Sequence, residues 1–238
     1  ITKIVFNQVY GSITGKQLGN VHREISDVKY ECEDETSILV RGYVYSHGFG
    51  EHYINAFNFQ RGLIEKDNKT KGISAFDYDE TLSLEEISQE FVSQFNQFGK
   101  SEKFDEIIII GQSAGGVIAS FSAHRLEFEG EIELHTLASP LNGYHVFDSF
   151  LGDRQGFARE IGEGFDSFIT AGNNLKAYHH KTVEDESLRS WCGDYASFCD
   201  PIEAQNNNLE GSKEFFYPQY DHESIMPAVS KLIIQCHN

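Results

Sequence analysis

Ile107–Ile110 is a bare run of four isoleucines, and it feeds directly into Gly111-Gln112-Ser113-Ala114-Gly115-Gly116. A strand with no polar alternation has to be covered on both faces, as in the middle of a parallel sheet. The segment after the glycines, Ala114–Leu126, starts with small residues and is expected to be a helix. A strand-to-helix turn this sharp needs strained backbone angles and lets the helix pass close to the strand. Its flanking positions must therefore be glycine. Such a turn would stand the Ser113 hydroxyl at the carboxyl end of the sheet, where open α/β sheets bind ligands. The first N–H groups of the helix would point at any negative charge that develops there. A serine hydroxyl is a poor nucleophile without a base and a pocket for the oxyanion, so these two features are the ones to look for. The five-residue glycine pattern alone is weak, since a glycine-rich turn with a capping serine would also carry it. The buried strand before it and the small-residue helix after it strengthen it.

The rest of the chain extends this unit. Ile4–Tyr10 and Asp27–Glu33 group β-formers around Gly11, Gly15 and Gly19, which predicts antiparallel strands joined by turns. Ile38–Ser46 and Gly72–Tyr78 are expected strands, as are Glu106–Ile110, Ile132–Ala138 and Leu175–Val183. Ser83–Phe98 is an expected helix. Ser83 and Glu86 form a capping box, Leu84, Ile87, Phe91, Phe95 and Phe98 share a face, and Gly99 ends it. Ser224–Cys236 is the last helix, with Ile225, Val229, Leu232, Ile233 and Cys236 on one face. Strands and helices alternate from about residue 38, so the expected class is α/β with a mostly parallel central sheet flanked by helices. At 238 residues one domain over residues 1–238 fits better than two.

Composition removes several classes of function. Hydrophobic residues make up 39% and charged residues 24%, which is globular. The net charge of −18 repels phosphate backbones, so nucleic acid is not an expected partner. No apolar run approaches the ~20 residues of a spanning helix. Gly11–Gln17 lacks the spacing of a phosphate loop, and Asp67–Gly72 lacks the acids of a calcium loop. No two histidines show zinc-ligand spacing with a glutamate, so no metal and no cofactor is expected. Asn68-Lys69-Thr70 is a formal glycosylation sequon. The first residue is Ile1 and no leader pattern follows, so either a leader has been removed or the chain is a trimmed piece. Cys32, Cys192, Cys199 and Cys236 permit two disulfides, and a Cys192–Cys199 bridge would close a short loop. At least one disulfide and an exported protein, secreted or periplasmic, is the expectation; reduced thiols and a cytoplasmic protein are the alternative.

The sequence resembles the lipase and esterase branch of the α/β-hydrolase superfamily over residues 38–238. Four places carry the resemblance. One is the Ser113 turn. Another is His47-Gly48-Phe49-Gly50 after an apolar strand, similar to the His-Gly loop whose backbone N–H supplies half of an oxyanion hole. A third is Leu137-Ala138-Ser139-Pro140-Leu141-Asn142-Gly143, which sets the register, and the fourth is Asp221-His222-Glu223-Ser224-Ile225 before the last helix. The resemblance implies an α/β-hydrolase fold and a serine carboxylic ester hydrolase. In that scheme Ser113 is the nucleophile, His222 the base, and Phe49 and Ala114 the oxyanion donors.

His222 also has support from the residues alone. It lies in a polar loop at the head of an amphipathic helix, which offers a rigid mount, and histidine is the residue type suited to proton transfer near neutral pH. The acid should be an Asp or Glu in a loop between Ser113 and His222. Asp185 fits best, because Asp185-Glu186-Ser187-Leu188 follows a strand and resembles the family's Asp-x-x-apolar signature. Asp194 is the rival. It lies between Cys192 and Cys199, whose spacing matches that of the disulfide-closed acid loop of cutinase-like enzymes, although it falls two places early. Asp200 is third.

An insertion at about residues 141–174 is rich in glycine and phenylalanine, and in the family such a segment forms a cap. Phe147, Phe150 and Phe157 would then line an acyl pocket; plain core packing is the alternative. The expected partner is a small-molecule or lipid acyl ester. Rival functions are a thioesterase or acyltransferase on the same triad, and an inactive hydrolase-fold binding module.

Overall fold

A computed structural model of the chain describes residues 30, 39–48, 53–65, 70–143, 156–163, 174–190, 200–206 and 211–236. The strands are β1 (Arg41–Ser46), β2 (Thr70–Phe76), β3 (Glu106–Gln112), β4 (Glu131–Leu137), β5 (Leu175–Thr182) and β6 (Lys213–Tyr217). They form one sheet in the order β2-β1-β3-β4-β5-β6, and every neighbouring pair is parallel. The helices are α1 (Tyr53–Ile64), α2 (Leu84–Ser101), α3 (Ala114–Ser122), α4 (Phe157–Glu163), α5 (Glu186–Ser190), α6 (Pro201–Ala204) and α7 (Ile225–Cys236). The strands expected at Ile4–Tyr10 and Asp27–Glu33 lie outside the described residues, Tyr30 excepted.

The strand order dictates where the helices go. The chain steps from β1 outward to β2, then crosses back past β1 to β3 and continues through β4. Crossover connections between parallel strands keep one hand, so steps in opposite directions put their helices on opposite faces. The core is divided accordingly. One apolar cluster joins Val44, Ile107, Ile109, Ile132 and Leu134 to Leu84, Ile87, Phe91 and Phe95 of α2 and to Val117 and Ile118 of α3. The other joins Tyr43, Tyr45, Ile108 and Ile110 to Ile64 of α1 and to Ile225, Val229 and Ile233 of α7. The four isoleucines are thus shared alternately between the two faces, as a strand's period of two requires.

Local signals account for most boundaries. The Ser83 side chain accepts from the Glu86 N–H and the Glu86 carboxylate accepts from the Ser83 N–H, so the expected capping box starts α2. Gly99 does not end this helix, which runs on to Ser101. A Cβ at Gly99 would lie 3.3 Å from the Phe128 ring, so the glycine makes room for that ring. α3 stops at Ser122, short of the expected Leu126, and a tighter turn follows over Ala123–Arg125. The Ser122 hydroxyl donates back to the Ile118 carbonyl at 2.7 Å, a bond that loosens helical geometry. α1, α5, α6 and the short β6 have no counterpart among the expected elements.

A polar seam runs through the second cluster. His135 Nε2 lies 3.2 Å from Glu133 Oε2, His135 Nδ1 lies 3.1 Å from His180 Nε2, and His180 Nδ1 lies 3.1 Å from the Tyr217 hydroxyl. With Glu133 ionised, one proton assignment satisfies every bond: Tyr217 donates to His180, His180 to His135, and His135 to Glu133. Burial pushes the Tyr217 hydroxyl up to about 12 and holds His180 well below the ordinary histidine value, which suits a neutral ring pair. His179 points to the other face, where its Nδ1 meets the Thr136 hydroxyl at 2.6 Å. Burial first, and the Lys181 ammonium next, push it down to about 3.

Candidate active site

β1 and β3 are neighbours whose connections leave in opposite directions, so a crevice opens beyond their carboxyl ends. Ser46 and Gly111 are partners there. The chain emerging from β1 is His47-Gly48, and the chain emerging from β3, which ends at Gln112, begins with Ser113. Ser113 sits at φ 52° and ψ −122°, outside the wells open to most L residues. Such a conformation costs on the order of 1–3 kcal/mol and persists only where its surroundings impose it. Here the Ser113 N–H donates to the Leu137 carbonyl at 2.8 Å and the Ser113 carbonyl accepts from Gly116. The hydroxyl does not cap α3, so helix capping is not its role.

The glycines around Ser113 are set by close approach. A Cβ on Gly115 would fall 2.2 Å from the Ser46 carbonyl oxygen, and one on Gly111 would fall 2.6 Å from Gly116 Cα. The helix can start directly against β1 only because these side chains are missing. Gly48 lies against the serine from the other side: a Cβ there would be 3.0 Å from Ser113 Cβ and 3.6 Å from its Oγ. The loop after β1 is therefore next to the nucleophile candidate. His47 anchors that loop. Its ring stacks on Tyr78 at 4.5 Å, its Nε2 meets Asp77 at 3.2 Å, and its carbonyl accepts from the Tyr78 hydroxyl at 3.1 Å. Ala114 is the first residue of α3, where backbone N–H groups have no helical partner. Phe49 lies outside the described residues.

His222 stands in the turn before α7. The Asp221 carboxylate accepts from the Ser224 N–H at 2.8 Å, from the Ser224 hydroxyl at 2.6 Å and from the Glu223 N–H at 3.2 Å. Those bonds, the hydroxyl's first, hold the Asp221 carboxyl below its ordinary value. They fix the turn that presents His222. A second tether reaches across the sheet: Gln112 Nε2 donates to the His222 carbonyl at 3.4 Å, and the Tyr45 hydroxyl donates to Gln112 Oε1 at 3.1 Å. The residue before Ser113 is thus linked to the backbone of His222.

The His222 ring turns toward Asp185. Its Nδ1 lies 2.9 Å from Asp185 Oδ2, with the imidazole side chain 15% exposed and the carboxylate 0%. Asp185 also precedes α5, and its Oδ1 accepts from the Leu188 N–H at 2.8 Å, an N-cap contact. The apolar residue three places on is Leu188, which is buried. Of the two other aspartates, Asp194 lies outside the described residues. Asp200 caps α6, its Oδ1 accepting from the Ile202 N–H at 2.9 Å. Two residues at this site had no sequence signal. The Thr182 hydroxyl donates to Asp185 Oδ2 at 2.8 Å, and Gln205 binds the Thr182 backbone.

Phe157, expected in an acyl pocket, is instead a core residue. It is 0% exposed in the first apolar cluster, and its ring meets Tyr78 edge-on at 5.9 Å. Its position at the start of α4, whose N–H donates to the Leu82 carbonyl at 2.7 Å, draws it inward. Phe147 and Phe150, and most of the segment at 141–174, lie outside the described residues, as do Cys32, Cys192 and Cys199. The described Cys236 is not a free thiol. No described helix is long and apolar enough to cross a membrane. At the opposite end of the strands, Glu106, Glu131 and Glu133 bring carboxylate oxygens within 4.8 Å of one another. Arg41 pairs with Glu106 at 2.7 Å and Lys176 pairs with Glu131, so protein cations already meet two of the three.

No family model matches the sequence, and no curated protein matches it. Solved structures do. A metagenomic carboxyl esterase aligns with a TM-score of 0.55 at 14% identity, covering 84% of this chain and 76% of its own. An esterase from Exiguobacterium antarcticum aligns with a TM-score of 0.52 at 12% identity, covering 83% and 91%. A lipase-esterase related protein from Clostridium acetobutylicum aligns with a TM-score of 0.51 at 11% identity, covering 82% and 92%. The chain has the α/β-hydrolase fold.

Proposed function

We propose that this α/β-hydrolase chain is a serine carboxylic ester hydrolase acting on a small-molecule or lipid acyl ester. Ser113 Oγ attacks the acyl carbon while His222 Nε2 takes its proton. The tetrahedral intermediate collapses, His222 returns the proton to the leaving alcohol, and an acyl-enzyme remains. Water, deprotonated by His222, then releases the acid and frees Ser113. Asp185 holds the imidazole tautomer with the Nδ1 proton inward and stabilises the imidazolium. The Ala114 and Phe49 N–H groups receive the oxyanion. As written, the reaction takes no cofactor.

The observation that carries this reading is the 2.9 Å contact from His222 Nδ1 to the buried Asp185, in a turn tethered to the residue before a strained serine. A capping serine would have no need of that company. The solved relatives named as esterases add weight to ester chemistry on this fold. A cap from the segment at about 141–174 would supply the acyl wall through Phe147 and Phe150. If Phe150→Ala leaves chain-length preference unchanged, that wall lies elsewhere. A disulfide framework and export go with the same reading.

Fluorophosphonate labelling of wild type beside Ser113→Ala tests it, followed by turnover of short- and long-chain p-nitrophenyl esters. Labelling and hydrolysis that both vanish in Ser113→Ala are the expected result. Labelling without ester hydrolysis, but with thioester cleavage or acyl transfer, moves the reaction to the thioesterase or acyltransferase class. Neither labelling nor turnover makes the chain a binding module.

A further inference from the structure

Asp185 is held by more than His222. Its Oδ2, the oxygen that faces the imidazole, also receives the Thr182 hydroxyl at 2.8 Å. That hydroxyl has one proton and two acceptors in reach, since Gln205 Oε1 lies 3.3 Å away. Gln205 decides between them. Its Nε2 donates to the Thr182 carbonyl at 3.0 Å and to the Pro201 carbonyl at 2.7 Å. Both partners are acceptors only, so the amide cannot be turned over. Its oxygen therefore faces Thr182, where it accepts the backbone N–H at 2.9 Å. With that better-placed donor on Gln205 Oε1, the hydroxyl proton goes to the carboxylate. Thr182, Asp185 and Gln205 are all at most 1% exposed, so these bonds are shielded from bulk solvent.

We infer that Thr182 is a positioning residue for the proposed Ser-His-Asp reaction, aiming and tempering the carboxylate that holds His222, and that Gln205 fixes the direction of its bond. The inference rests on the function proposed above. A second donor on Oδ2 fixes the carboxylate plane against rotation about its Cβ–Cγ bond. It also draws charge from the oxygen that faces the imidazole.

Thr182→Val keeps the shape and removes the hydroxyl, while Thr182→Ser keeps the hydroxyl. In ester hydrolysis Thr182→Val should lower kcat about tenfold with KM nearly unchanged, the scale of one bond to a charged group. The acid limb of its kcat/KM profile should move to higher pH, because a carboxylate short of one donor holds the imidazolium more tightly. Thr182→Ser should return both toward wild type. The downfield proton resonance of His222 Nδ1, identified by its loss in His222→Ala, reads the same bond without turnover. It should shift in Thr182→Val and stay in Thr182→Ser. A Thr182→Val protein with wild-type kcat, limb and resonance overturns the inference, and so do Val and Ser variants impaired alike. Failure of the ester reading looks different: wild type itself would not label at Ser113, while the resonance would still report on Thr182.

Discussion

His222 and the buried pair His135–His180 contain the same ring in two opposite settings. Both rings of the pair have both nitrogens engaged, in a chain that runs from Tyr217 to Glu133. His222 commits Nδ1 to Asp185 and sits at the rim of the sheet, partly exposed. A histidine with both nitrogens committed inside the core serves as a neutral strut, and proton exchange would break the chain it belongs to. A histidine fixed by one nitrogen keeps its tautomer and has the other to offer. The number of partners, rather than the mere presence of a carboxylate, separates the two roles: Glu133 touches His135 as Asp185 touches His222.

The largest expected effect comes from breaking the rim. Asp185→Asn should lower turnover on the order of 10⁴-fold and His222→Ala on the order of 10⁶-fold, with the folded protein intact by circular dichroism. If Asp185→Asn turned over like wild type, Asp194 would return as the acid. Breaking the core pair should do the reverse. His180→Phe leaves the Tyr217 hydroxyl and a His135 nitrogen without their partner, so urea unfolding should show a loss of about 2–4 kcal/mol. Turnover per folded molecule should stay near wild type. Large kinetic losses in this variant would erase the distinction.

Acid sharpens the contrast. His179 and His180 stay neutral in the fold, His179 down to about pH 3, while the unfolded chain binds protons on them below about pH 6.5. The unfolded state then holds more protons, so stability rises with pH across that window and falls as pH drops from about 6.5 toward 3. Denaturation midpoints measured from pH 7 to pH 4 should decline, and His180→Phe should flatten the decline. The smallest effect belongs to the tether between strand and base. Gln112→Met should lower kcat about threefold to tenfold, since the long bond to the His222 carbonyl and the Tyr45 bond behind it are both lost. No change in kcat would mean that the Asp221 turn alone mounts His222.

Legibility follows the range of the interactions. The β3–turn–α3 unit was readable because four isoleucines and the glycines act within a dozen residues, and the Ser83 capping box within four. The Asp185-to-Leu188 spacing is legible because the contact between them is local. α1 was missed because YINAFNFQRGLI mixes asparagine and glycine into its apolar pattern. β6 was missed because five residues between polar loops carry little period. Gln205 had no signal, for its bonds to Thr182 span twenty-three residues and exist only once α6 lies beside β5; a single threonine three places before Asp185 carries no pattern of its own. Phe157 looked like a pocket residue by composition, yet its fate was set by the Tyr78 ring it meets.

The docking of α7 on α1 has a consequence for how the protein comes into being. Gln60 of α1 donates to Ser230 of α7 at 2.9 Å, across 170 residues of sequence. A ribosome delivers the Ser113 turn long before it delivers that helix. On the proposed assignment, a nascent chain that has delivered Ser113 still lacks the histidine that would act as its base. Its proposed base arrives only with the turn that precedes the last helix, more than a hundred residues later in synthesis.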